Sequence, residues 1–348
     1  MIRAQLVSLL AFTFFLHPAL ASERNSAGKG DAPPTLAQLT ILYDAFGRNP
    51  NLQKDWGYAA LVEIGGRRIL FDTGNDPDVL QRNVKSLGID LATLDFVVMS
   101  HRHADHTAGL AYLLSKNPNV QIYAPKENFG VFGSSLPSKF YRKDPSLPQE
   151  MRYFDGSPPA IMQFGTAWPN ANIALIEQTT EIVPGIHLIA LVSDKPGTLE
   201  MRELSLAIET PEGIVLVVGC SHPGIERIVA AATAIDRRIH IIAGGLHLVS
   251  SSDAEIERLM EFLRDDYNVA WVAPGHCTGE PAFAALSRYF GDRSVYAGLG
   301  TTIKLGANPR ADLGQGSKHA LNMEDLAAYR SVMRNSLLRF GRRGSSRQ

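Results

Sequence analysis

An α/β layered fold is predicted for this chain of 348 residues by two observations. The second half alternates short apolar runs with helix-periodic segments, and the first half pairs apolar runs across glycines. Such alternation lays helices on sheets, whereas a helical bundle or an all-β sandwich would keep one period throughout. A third observation bears on chemistry. Six of the ten histidines fall at or just past the ends of apolar runs. With 45% hydrophobic residues, the chain can bury a large core in one big domain or two.

The chain opens with Arg3, the apolar stretch Leu6 to Leu16, Pro18 and Ala19-Leu20-Ala21. A charged start, a short apolar middle and a small-x-small ending mark a secretory signal peptide over residues 1–21. The apolar stretch is too short to span a bilayer, and no later run is longer. The expectation is an exported protein without a membrane span, periplasmic or secreted after cleavage near Ala21; an uncleaved anchor is the plainer alternative. Residues 22–37 are polar and rich in Pro and Gly, and read as a flexible lead-in. The balance of 34 basic against 35 acidic residues gives no electrostatic reason to expect nucleic acid as a partner.

The elements follow in order over a body expected to span 38–307. Leu39 to Tyr43 is strand-like, and Tyr58 to Ile64 with Arg68 to Phe71 form a hairpin across Gly65-Gly66. A helix is predicted over Pro77 to Leu87, a strand over Phe96 to Met99 and a helix over Ala108 to Leu114. Residues 125–180 hold many prolines and aromatics with weak periodicity. They read either as a surface excursion or as a loop over the site that shapes specificity. Strands are then expected at Gly185 to Leu191, Leu204 to Glu209, Ile214 to Val218, His240 to Ala243 and Val269 to Ala273. Helices are expected at Pro223 to Ala234 and at Asp253 to Leu263, the latter with Ser252 and Glu255 in capping-box spacing. From Asn308 onward eight basic residues face three acidic ones. Acidic residues open MEDLAAYRSVMRNSLLRF and arginines close it, as a helix macrodipole favours, so 308–348 reads as a C-terminal helix with a basic tail.

The histidines carry the chemistry. His101, His103, His106, His222, His247 and His276 each follow an apolar run, and in α/β sheets ligands gather outside the carboxyl ends of strands. Several strand ends would therefore converge on one place. Close-packed imidazoles and carboxylates leave their lone pairs unpaired, and a divalent cation satisfies them together. Nitrogen and carboxylate donors suit Zn²⁺, with Fe or Mn as alternatives. His17, His187, His240 and His319 are read as ordinary residues. The only cysteines, Cys220 and Cys277, lie two residues before His222 and directly after His276. They read as site residues or as a disulfide pair.

HRHADH at His101 to His106 resembles the His-x-His-x-Asp-His signature of the metallo-β-lactamase superfamily. FDTG at Phe71 to Gly74 resembles that family's preceding strand end. DWGYAALVE, GCSHPGI, GGLHL and PGHCTG resemble one subgroup, beta-lactamase-like metal-dependent hydrolases that include dihydropterinyl-methyl-ribofuranosylaminobenzene phosphate synthase-like proteins. The resemblance implies a four-layer αββα sandwich, two mixed sheets flanked by helices. It implies that His101, His103 and His222 hold one ion and that Asp105, His106 and His276 hold a second, with Asp72 orienting the histidine loop. The family's bridging aspartate follows a glycine at a strand end, where this chain has Gly219-Cys220. Cys220 or His247 would fill that role, or one ion alone would bind tightly.

The reading that follows is an exported metal-dependent hydrolase. A metal-bound hydroxide oriented by Asp105 would attack an ester, lactone or phosphate ester. Pro223, placed in a first helical turn after His222, favours a small anionic substrate. The alternatives are a synthase-like transferase and a non-catalytic metal- or ligand-binding protein on the same fold. Fold resemblance does not choose among substrates, and oligomeric state is not legible.

Overall fold

The computed structural model describes residues 37–313, except 128–133, 138, 140–142, 144, 147, 150–151, 165–167 and 169. The signal peptide expected over 1–21, the lead-in up to residue 36 and the expected C-terminal helix lie outside the described residues.

The first elements form as their sequences dictate. β1 (Gln38–Tyr43) pairs antiparallel with β2 (Ala59–Ile64), and β2 turns into β3 (Arg67–Phe71). The turn places Gly65 and Gly66 at φ 58° and 76°, which suits two glycines. α1 (Pro77–Ser86) starts where the Asp76 carboxylate accepts the Asp78 and Val79 amides, with proline in the first turn. After β4 (Phe96–Val98) the helix expected over Ala108 to Leu114 is α3 (Leu110–Lys116), and a short further helix, α2 (Ala104–Thr107), precedes it. Gly109 separates them because the chain must pass close to β3 there. A Cβ on it would lie 2.0 Å from the Thr73 carbonyl oxygen.

Part of the segment read as an excursion is sheet. β5 (Gln121–Pro125) leads to a separate ribbon, β6 (Ser134–Pro137) with β7 (Ile161–Phe164), and then to β8 (Ile173–Ile176). The run IALI in β8 is too short for a period to emerge. β9 (Thr180–Val183), β10 (Ile186–Val192), β11 (Arg202–Thr210) and β12 (Gly213–Val218) form an antiparallel meander. α4 (Ile225–Ala232), β13 (Ile239–Gly245), α5 (Asp253–Glu261) and β14 (Trp271–Gly275) alternate after it. α5 has the expected capping box, the Ser252 side chain accepting the Glu255 amide and Glu255 reaching back. α6 (Glu280–Phe290) was not anticipated, although Gly279 and Gly291 bracket it and Pro281 opens it. β15 (Thr302–Lys304) and β16 (Arg310–Asp312) pair, so the body runs past its expected end at 307.

Two large sheets result. One has the order β16-β15-β1-β2-β3-β4-β5-β8, the other β14-β13-β12-β11-β10-β9. Both are mixed: β3-β4-β5-β8 and β12-β13-β14 run parallel, and the remaining neighbours antiparallel. Leu39, Val62, Phe71 and Val98 from the first sheet meet Leu188, Leu206, Val217 and Ile241 from the second in the central core. The outer face of the first sheet packs Leu70 and Val97 on Leu80 of α1 and Leu113 of α3. The outer face of the second packs Leu216 and Val218 on Ile228 of α4, Leu259 of α5 and Leu286 of α6. This is the expected αββα sandwich. β12 and β13 are buried along their whole length, which explains their near-continuous apolar runs. β3, β4, β12, β13 and β14 all deliver their carboxyl ends to the functional residues.

Candidate metal centre

Asp72 follows β3 directly, is fully buried and has φ 58°. Its Oδ1 accepts the Ser100 amide at 2.6 Å, and its Oδ2 accepts the Ser100 hydroxyl at 2.6 Å. The same Oδ2 lies 2.7 Å from His106 Nδ1. Ser100 Oγ in turn lies 2.8 Å from His101 Nδ1. Because the serine proton goes to Asp72, its lone pair accepts the proton of His101 Nδ1. Both histidines are thereby fixed with hydrogen on Nδ1 and a bare lone pair on Nε2.

Those lone pairs point at other nitrogens. His101 Nε2 is 3.1 Å from His103 Nδ1, and His106 Nε2 is 3.1 Å from His276 Nε2. Imidazole nitrogens this close need a proton or a cation between them. His222 is buried, and neither ring nitrogen has a hydrogen-bond partner among the described residues; the same holds for His247 Nδ1. A buried imidazole left unsatisfied is costly unless it ligates. The donor atoms of His101, His103 and His222 lie within 4.8 Å of one another, as do those of Asp105, His106 and His276. The structure thus brings together both trios expected from the resemblance. The residues fit a divalent cation.

Cys220 stands where the trios meet. Its Sγ is 3.2 Å from His106 Nε2, and it groups within 4.8 Å with His101 and His106 and also with His222 and His247. Both cysteines are free, so the disulfide alternative is not the state described. The turn after β12 is held by Glu203, an acid at 1% exposure on β11. Its carboxylate accepts the amides of Cys220, Ser221 and His222 at 3.0, 2.7 and 2.7 Å. Asp44, buried after β1, accepts the His276 amide at 3.0 Å. Ser221, His247 and His276 have φ of 63°, 51° and 48°. Strain of this kind is held in place only by surrounding structure and gathers at functional sites. Pro223 is not in a helical turn as expected. α4 begins at Ile225, after Gly224 at φ 96°.

The charges divide along the cluster. Burial, then the neighbouring His247 and His103, pushes His222 down to about 2, so it is neutral and free to ligate. Burial works against ionisation of Asp105, yet His106 and His276 outweigh it and hold its carboxyl well below the usual range. Burial also opposes protonation of His276, but Cys277, Asp105 and Asp44 outweigh it and raise its pKa to about 9. A negative field therefore surrounds the corner formed by Asp105, His106 and His276, which attracts a cation.

Sequence reading missed Asp44, Ser100 and Glu203. The signal for Glu203 was an acid on the apolar strand MRELSLAIET, and for Asp44 an acid directly after QLTILY. His187 and His240 are satisfied as ordinary residues, at 2.7 Å from Glu209 Oε1 and 2.8 Å from the Gly306 carbonyl oxygen.

The profile of the metallo-beta-lactamase superfamily matches residues 57–276, from the loop before β2 to the last histidine of the cluster. The chain belongs to the metallo-beta-lactamase superfamily. Members of this superfamily depend on metal, and the cluster supplies candidate ligands. The metallo-beta-lactamase domain is 27% identical over 270 residues to the 7,8-dihydropterin-6-methyl-4-(beta-D-ribofuranosyl)-aminobenzene-5'-phosphate synthase of Methanocaldococcus jannaschii, covering 69% of this chain and 86% of that protein. It is also similar to the crystal structure of a metal-dependent hydrolase of the beta-lactamase superfamily, with TM-score 0.57 and 27% identity over 77% of this chain and 99% of that one. A shorter match, 39% identity over 74 residues, links it to a ribonuclease Z of Clostridium botulinum across 22% of that protein. Within the domain no described helix is long and apolar enough to cross a membrane.

Proposed function

We propose that this chain is an exported metal-dependent hydrolase acting on an ester, lactone or phosphate-ester bond of a small anionic molecule. The observation that carries the reading is the array of inward-facing imidazole lone pairs, with Asp105 beside them, at the edge of a cavity. That cavity is about 350 Å³ and is lined by His222, His247, Lys195 and Arg258, with Glu226 and Glu255. Its size suits a small molecule rather than a polymer. The wall carries both signs, and the N-terminus of α4 at Gly224 favours the anionic end of a substrate.

His101, His103 and His222 would hold one ion, and Asp105, His106 and His276 the second, with Cys220 between them. Zn²⁺ is the proposed ion because nitrogen, carboxylate and thiol donors together match its preferences. Divalent cations there would polarise the substrate's carbonyl or phosphoryl oxygen and acidify water. Asp72 and Ser100 keep the Nε2 atoms of His101 and His106 free of protons. Asp105 Oδ2, 3.4 Å from His276 Nε2, would orient the attacking water. Glu203 and Asp44 hold the turns that aim His222 and His276.

A panel of phosphodiesters, lactones, thioesters and β-lactams on metal-loaded protein tests this. Turnover of at least one class is expected, and His103→Ala and Asp105→Ala should each lower it at least about 100-fold with the fold intact. No turnover across the panel would count for a non-catalytic binding protein. The second reading is group transfer, favoured by the similarity to the synthase over most of both chains. Export separates the two. N-terminal sequencing of the protein from its host should begin near Ser22, whereas a cytoplasmic chain retaining residues 1–21 would favour the transferase.

A further inference from the structure

Cys277 has no part in the chemistry described so far. It is at 2% exposure, directly after His276, in the short turn His276–Thr278. Its thiol donates to the Cys220 carbonyl oxygen at 3.7 Å. Both thiols are free. The ligand atoms of Cys220, His276 and Cys277 lie within 4.8 Å of one another. Around a tetrahedral zinc ion, with Zn–S ~2.3 Å and Zn–N ~2.0 Å, neighbouring ligand atoms are roughly 3.3–3.8 Å apart. Small side-chain movements therefore close this trio on one ion.

The backbone is shaped for the same convergence. Ser221 at φ 63° lets its two neighbours, Cys220 and His222, both face the centre. His276 at φ 48° does this for itself and Cys277. Non-glycine residues disfavour that region, and both turns bear this strain. At the end of β13 the chain passes so close that a Cβ on Gly245 would sit 2.8 Å from Cys277 Sγ and 3.3 Å from His276 Cδ2. Glycine there leaves the thiol its place.

We propose that Cys277 is a metal ligand beside Cys220 and His276, making one metal position thiolate-rich and selective for Zn²⁺, Co²⁺ or Cd²⁺ over Mn²⁺ or Mg²⁺. This rests on the metal-centre reading above. Binding breaks two S–H bonds, forms two sulfur–metal bonds and releases both protons to solvent, with no electron transferred.

The test strips the full chain of metal under reducing conditions and titrates it with Co²⁺, followed by absorption spectroscopy. A near-ultraviolet thiolate-to-cobalt charge-transfer band is expected beside the visible ligand-field bands. Cys220→Ser and Cys277→Ser should each remove about half of its intensity per bound cobalt, and the double variant all of it. If Cys277 only hydrogen-bonds Cys220, Cys277→Ser leaves the band unchanged, which overturns the inference while the metal centre stands. No cobalt uptake by the unsubstituted chain overturns both. A Cys220–Cys277 disulfide in metal-replete protein also overturns it. Should Cys277→Ser not fold, cadmium NMR of the unsubstituted protein still separates two thiolate ligands from one.

Discussion

Asp72 shows how much one carboxylate decides at this centre. It receives the Ser100 amide, the Ser100 hydroxyl and His106 Nδ1. Through these it sets the tautomers of His101 and His106. An asparagine has one accepting oxygen in place of two: with it at the Oδ2 position the Ser100 amide loses its acceptor, and with it at the Oδ1 position the Ser100 hydroxyl and His106 Nδ1 do. His106 would then turn its proton toward His276. Asp72→Asn should weaken zinc affinity roughly 10- to 100-fold, as loss of a ligand-orienting partner does. A competition titration with a chromophoric chelator measures this, and unchanged affinity would remove Asp72 from that role. His101, His103, Asp105 and His106 were legible because they are adjacent in sequence. Ser100 was not, because a serine beside a histidine carries no signal until its hydroxyl is seen between Asp72 and His101.

At the scale of elements, the site depends on loops pressed against strand ends. Gly109 keeps an ordinary helical φ of −69°, so any residue suits its backbone. Its constraint is contact alone, with the Thr73 carbonyl oxygen at 2.0 Å from a built Cβ. Gly109→Ala should therefore destabilise the protein by about 1–3 kcal/mol, as overpacking does. It should also shift α2 and lower metal retention, because α2 holds Asp105 and His106. Thermal unfolding with metal analysis of the purified variant checks both effects. An unperturbed variant would mean that the loop yields without moving α2. Strands with clear periods, β1 to β4 and β10 to β14, were legible within about two residues. β5, β8, β15 and β16 are short additions at or near one sheet's edges, and their residues gain strand character from the neighbour they pair with.

For the whole molecule, the centre ties one sheet to the other. Asp72, His101, His103, Asp105 and His106 come from the first, and Cys220, His222, His247 and His276 from the second. A cation bound only by the folded chain adds stability set by its concentration over its dissociation constant, about 4 kcal/mol at a thousand-fold excess. Removing it with a chelator should lower the thermal midpoint by roughly 10 °C, restored by added zinc. An unchanged midpoint, measured by calorimetry, would mean that no cation bridges the sheets. By itself the sequence determined an α/β layered fold, because hydrophobic period is a local property, and its motifs carried the αββα sandwich and the two ligand trios through their resemblance to the family. Only the tertiary structure decided that Cys220 stands between the trios, that Glu203 and Asp44 aim their turns, and that Cys277 joins the cluster. Those contacts span distant strands, and nothing local in the chain encodes which side chains will meet across two sheets.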